Sequence, residues 1–237
     1  MNSEKALERV QVYQSLAHAV LYPEQDWAAD FARIPQLLEA LGATAELVAA
    51  SRAVLPDRPP ALEDLQAEHR KVFGLSGSLS YETEYGLPHE FRQSQEMADI
   101  AGFYRAFGFI ATGGPVRDRP DHIAAELEFM QVLALKYAYA AQNDLAEPAE
   151  VCLDGQRSFL RDHLGRWVAA FAWRVEQATP ASLYTRLARF LLAFVSADAA
   201  RLGVSLPQPG GAELRPTPLG PDLACEGCPA VEALEQE

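Results

Sequence analysis

Apolar residues recur three and four positions apart along nearly the whole chain, the spacing that places them on one face of an α-helix. Leu7, Val10, Tyr13, Leu16 and Val20 form one such run, and Trp27, Phe31, Ile34, Leu38 and Leu41 a second, stopped at Gly42. Thr44 can cap a third helix through Leu47 and Val54, which "LPDRPP" ends, and Leu62, Leu65, His69, Val72 and Phe73 make a fourth. Met97, Ile100, Tyr104 and Phe107 follow, closed by Gly108. A long helix then starts in "RPDHIAAELEFM" and runs through Tyr137. Phe159, Leu160, Leu164, Trp167, Val168 and Phe171 continue the pattern, with Gly165 marking a kink or a junction between two helices. Thr179 and Pro180 read as N-cap and first-turn proline of a last helix through Leu183, Leu187, Leu191, Phe194 and Val195.

The β-branched alternation of a half-buried strand is missing, so the expected fold is all-α, a single globular helical-bundle domain over residues 1–202. Residues 203–237 are rich in proline and glycine and read as a flexible tail containing a CxxC. With 237 residues and 49% apolar side chains, the chain has ample material for one core. Three cysteines in such a length point to a reducing compartment, and charges interrupt the N-terminus where a signal peptide needs an apolar stretch. A cytoplasmic protein without stable membrane association is expected, as a monomer or a dimer. The net charge of −13 argues against nucleic acid and allows a basic partner, while on charge alone a solvated acidic surface is the preferred reading.

The stretch "RPDHIAAELEFM" carries acid, imidazole and acid within little more than a turn. Asp118 can serve as N-cap, with Pro120 in the first turn and Asp121 where a capping-box acid belongs. Ile123, Leu127, Met130, Ala134 and Tyr137 then form the core stripe, and His122, Glu126 and Phe129 a second stripe at its edge. Two ligands at most are too few for zinc, and no nucleophile or phosphate-binding glycine loop accompanies them. On physics alone, a capping and packing role and a docking role stand side by side. His122 is expected to be less tied to helix initiation than Asp121. In "YETEYG", Tyr81 and Tyr85 alternate with Glu82 and Glu84, which suits either recognition or anchoring of a connection. In "CEGCP", Cys225 and Cys228 are low-count candidates for metal or redox chemistry, the basis of an alternative reading as a helical metal- or redox-sensing regulator.

The order "HRKVFGL … YETEYG … MADIAGFYRAFGF … RPDHIAAELEFM … HLGRWVAAFAWRVEQATPASLYTRLARFLLAFVSAD" resembles the TorD/DmsD/NarJ family of maturation chaperones for molybdenum enzymes, over about residues 6 to 200. "HEFRQSQEMADIAGFYRAFGF" leans toward the NarJ side and the subgroup serving type II enzymes of the dimethyl sulfoxide reductase family. Two features depart from the pattern: Ser80 stands where a proline usually precedes the Tyr-Glu pair, and the cysteine tail is extra. The resemblance implies a non-enzyme with no cofactor of its own. Its partner would be the apo catalytic subunit of a molybdenum oxidoreductase and that subunit's N-terminal leader, often a twin-arginine signal, held until the molybdenum cofactor is inserted. Joined to the residue chemistry, it nominates Tyr81, Glu82, Tyr85, Pro120, Asp121, His122, Glu126 and Phe129 as the wall of a peptide groove, with acids facing the leader's cationic head.

Overall fold

A computed structural model describes residues 3–58, 60–74, 80–86, 92–110 and 119–207. The helices are α1 (Ser3–Val20), α2 (Ala28–Phe31), α3 (Ile34–Leu41), α4 (Ala45–Arg52), α5 (Leu62–Phe73), α6 (Arg92–Ala106), α7 (Ile123–Gln142), α8 (Ala146–Asp162), α9 (Leu164–Ala178) and α10 (Leu183–Arg201). One 3₁₀ turn, Glu82–Glu84, lies between α5 and α6. Among the described residues extended backbone meets only in an isolated antiparallel bridge, Tyr81 to His122, so the chain is all-α. Cys225, Cys228 and most of the proline- and glycine-rich segment lie outside the described residues.

α7 organises the domain. It packs along α1 on one side and α8 on the other, while α9 pairs with α10 and α10 reaches α4 and α5. Ile123, Leu127, Met130, Ala134 and Tyr137 are buried as the spacing predicts, but so are Ala124, Ala125, Glu126, Phe129 and Leu133. A helix enclosed on most of its circumference must be apolar nearly all round, which is why its sequence turns almost wholly apolar after Asp121. The two ends of the domain are joined by a buried polar cluster. The Arg9 guanidinium on α1 donates to both carboxylate oxygens of Asp198 on α10, at 2.7 and 2.6 Å. The Tyr13 hydroxyl donates to the same carboxylate at 2.8 Å, and Arg9 also donates to Gln156 on α8 at 2.7 Å.

Local signals explain most helix ends. Gly42 adopts φ +71° and ends α3 in the left-handed region that glycine enters without steric cost. The Thr44 hydroxyl accepts from the Leu47 amide at 3.4 Å, as the cap reading requires. The run from Trp27 to Leu41 is two helices, because the chain turns at Ala32 and Arg33. Thr179 is corrected: it closes α9, its amide bonding to the Val175 carbonyl, and the N-cap of α10 is Ser182, whose hydroxyl accepts from Thr185 N at 2.9 Å. Replacing Ser182 with alanine leaves that amide unpaired and should cost about 0.5–2 kcal/mol in urea unfolding. The expected junction near Gly165 falls at His163, between α8 and α9. A Cβ on Gly165 would run into the Leu160 carbonyl oxygen and the Leu206 side chain. Backbone cannot retreat as a side chain can, so Gly165→Ala should lower stability by roughly 1–3 kcal/mol, read as a lower urea midpoint at unchanged slope.

Candidate functional site

The start of α7 is built by a segment more than thirty positions earlier in the chain. Ile123 N donates to the Ser80 carbonyl at 2.8 Å, and Glu82 N donates to the Asp121 carbonyl at 2.9 Å. These bonds lay Tyr81 against His122, ring centroids 5.1 Å apart and edge-on. α7 begins at Ile123, and its N-cap is His122, whose Nδ1 accepts from Ala124 N at 3.1 Å. This corrects the capping-box reading: Asp121 precedes the cap, Asp118 lies outside the described residues, and His122 is the residue tied to initiation.

Asp121 is fully buried and acts as a staple. Its Oδ2 accepts from the Thr83 amide at 3.2 Å, the Thr83 hydroxyl at 2.8 Å and Arg119 Nη2 at 2.8 Å. Its Oδ1 accepts from Arg119 Nε at 3.0 Å. Arg119 extends the network, donating to Thr83 Oγ1 at 2.7 Å and Glu84 Oε1 at 3.1 Å, and its guanidinium lies 4.2 Å from the centroid of the Tyr81 ring. From α6, Arg92 donates to the carbonyls of Thr83 and Tyr85 at 2.9 and 2.8 Å. The Tyr104 hydroxyl, also on α6, donates to the Pro120 carbonyl at 2.7 Å. Carbonyls left over by one short turn are thereby satisfied from neighbouring helices, as buried backbone groups must be.

Below this layer the polar groups continue into the core. Glu126 Oε2 accepts from the Trp167 indole at 3.1 Å, and Glu82 Oε2 lies 3.1 Å from His163 Nδ1. Burial first, then the charge of Glu82, pushes the Glu126 carboxyl well above its ordinary range. Burial also pushes the Tyr85 phenol up, against the lowering influence of Arg174, whose guanidinium sits 5.0 Å from the ring centroid. Tyr85 packs on Trp167 at 5.1 Å, and Phe129 packs between Tyr104 and Phe159 at 4.8 and 4.7 Å.

The eight nominated residues therefore do come together, but not as a solvent-facing wall. Glu82, Tyr85, Asp121, His122, Glu126 and Phe129 are buried, and only Tyr81 and Pro120 are half-exposed. The expectation that these acids face a peptide's cationic head is corrected. Asp121 is neutralised by Arg119, while Glu82 and Glu126 lie beneath the surface. Residues the pattern reading missed are Thr83, Arg119, Arg92, Tyr104, His163 and Trp167. Arg119 and Thr83 were visible as polar neighbours of the nominated acids. His163 and Trp167 arrive from far along the chain, and no local spacing marks them. Among the described residues no group of three or more His, Cys, Asp or Glu side chains is placed to hold a metal ion, and no helix is long and apolar enough to cross a membrane.

Residues 24–172 match the family model described as nitrate reductase delta subunit. That span includes the whole Tyr81-to-Trp167 network, and the chain belongs to this TorD/NarJ family. Among curated proteins it is similar to the selenate reductase assembly chaperone protein of Thauera selenatis, with 31% identity over 64% of this chain and 78% of that one. It is 36% identical to the chaperone protein TorD of Vibrio cholerae over 61% of this chain, a match spanning 64% of TorD. The chlorate reductase assembly chaperone protein of Ideonella dechloratans is 31% identical over 61% of this chain and 74% of its own length.

Proposed function

We propose that this chain is a cytoplasmic assembly chaperone, not an enzyme. In this reading it binds the apo catalytic subunit of a molybdenum oxidoreductase and its N-terminal leader, holding them until the molybdenum cofactor is inserted. The observation that carries the reading is the Asp121 staple, which fixes the Tyr81–Tyr85 segment onto the start of α7 and presents Tyr81, Pro120 and the Arg119 stem together at the surface. Relatives named as assembly chaperones for selenate and chlorate reductases support the client class. A tyrosine held in place by a ring beneath it and a guanidinium above it offers an amphipathic contact at low entropic cost.

Because the nominated acids are buried or already paired, the leader's apolar stretch, rather than its cationic head, is what this surface takes. Apolar contact then sets affinity at about 25 cal/mol per Å² buried, offset by ordering of the peptide. Salt dependence of binding should be correspondingly weak, since exposed ion pairs contribute about 0–1 kcal/mol each. The test is deletion of the gene in its host, with molybdenum cofactor content measured in the molybdenum oxidoreductases that the host makes. Loss of cofactor, restored by the intact gene, is the expected result. Full cofactor loading without the chain would remove the proposed role.

A further inference from the structure

Two carboxyls meet inside the domain, and each has an orphaned oxygen. Glu82 and Glu126 are both buried, and one oxygen of each is engaged, by His163 and by Trp167 respectively. The other oxygen of each, Oε1, has no hydrogen-bond partner among the described residues. Burial first, then the charge of Glu82 and, more weakly, a side-chain hydrogen bond with it, raise the Glu126 carboxyl. Were both ionised, two acceptors would face each other with no donor, a costly arrangement in a core. One proton satisfies both oxygens and removes the repulsion.

We propose that Glu126 keeps its proton at neutral pH and donates it in a hydrogen bond to Glu82, and that this bond latches the Tyr81–Tyr85 segment to α7 and α9. Glu82 belongs to the 3₁₀ turn, Glu126 to α7 and Trp167 to α9, so the bond joins three elements. Among the described residues the charged groups around the pair are few. His163 stands between Glu82 and the exposed Asp99 of α6, with Nε2 3.3 Å from Asp99 Oδ2. Glu96 of α6 is paired to Arg92 and lies 3.8 Å from Arg166 of α9. The charge of Asp121 also acts on Glu126, but Asp121 is paired to Arg119, and the buried Tyr104 phenol of α6 lies within the field of both glutamates. None of these cations contacts the orphaned oxygens, so a proton is the charge that can neutralise them. The latch is a property of the fold and holds whatever docks above it.

The carboxyl of Glu126 holds its proton more tightly folded than unfolded. From its ordinary value of 4.5 upward, the unfolded chain ionises at this position while the folded chain does not. The stabilisation is thus complete below that value and declines as pH rises toward the folded midpoint. Glu126→Gln keeps a neutral donor of the same shape, so it should remove this decline.

The experiment is ¹³C NMR of protein labelled at the glutamate δ-carbon, titrated from acid to alkaline pH, with amide shifts of Tyr81–Tyr85 followed in parallel. One δ-carbon should titrate well above the exposed glutamates. It should vanish in Glu126→Gln and move down in Glu82→Gln, which removes the neighbouring charge. The segment's amides should shift with the same midpoint. If every δ-carbon titrates with the exposed set, no proton is kept and the proposal falls. If the high carbon is present but the amides do not follow it, the pair is real and the latch is refuted. Both readouts come from the wild-type protein, so they decide even where a variant does not fold.

Discussion

Asp198→Ala is expected to lower unfolding free energy by about 3–5 kcal/mol, a large share of a single domain's total stability. The substitution leaves the Arg9 guanidinium buried and stripped of the carboxylate that binds it through two hydrogen bonds, and it removes the acceptor of the Tyr13 hydroxyl. Both partners are essentially inaccessible, with side-chain exposures of 0% and 1%, so solvent cannot replace what is lost. The loss arises from a buried cation deprived of its counter-charge more than from the pair's intrinsic worth. Accordingly the double variant Arg9→Met with Asp198→Leu should recover much of the deficit, because well-packed apolar residues often replace a buried pair at little cost. Urea denaturation of the two variants checks both statements. A single variant within about 1 kcal/mol of wild type would show that the α1–α10 junction relaxes to admit water.

The second large effect is local. Asp121→Ala removes the acceptor of the Thr83 amide, the Thr83 hydroxyl and two Arg119 bonds together. Hydrogen bonds to a charged group contribute about 1.5–3 kcal/mol each, but Arg119 is half-exposed and can be resolvated. A loss of roughly 2–4 kcal/mol is expected, with the Tyr81–Tyr85 amides losing protection from hydrogen exchange before the core does. Asp121→Asn keeps the shape and one acceptor oxygen and should lose less. Uniform loss of protection across all helices, or none in this segment, would mean that Asp121 does not hold the segment in place.

Spacing alone recovered the all-α fold because nearly every helix here buries one side and leaves the other wet. It also recovered Gly42 and Thr44, whose roles depend on neighbours within four positions. Thr179 and Ser182 both have the chemistry of a cap, and which one serves depends on where α9 stops, a tertiary matter. The candidate site was legible as a set of residues but not as a surface. Glu126 and Glu82 look like solvated acids in one dimension, since what buries them is α9, arriving with His163 and Trp167. Periodicity measures amphipathicity, and α7 is too deeply enclosed to be amphipathic. A polar side chain on such a helix signals a buried network rather than an exposed stripe.

In the proposed function the client leader docks on the Tyr81 surface, held by the Asp121 staple. The test is calorimetric titration of a synthetic leader peptide, taken from the molybdenum oxidoreductase that co-purifies with the chain from its host, into wild type, Tyr81→Ala and Tyr139→Ala. Tyr139 is exposed on α7, about 25 Å along the helix from His122, so it serves as a distant control. Tyr81→Ala is expected to keep the wild-type melting temperature yet bind at least about tenfold more weakly, while Tyr139→Ala binds as wild type does. Wild-type affinity in Tyr81→Ala, with binding lost in Tyr139→Ala, would contradict it and place the docking surface at the far end of α7.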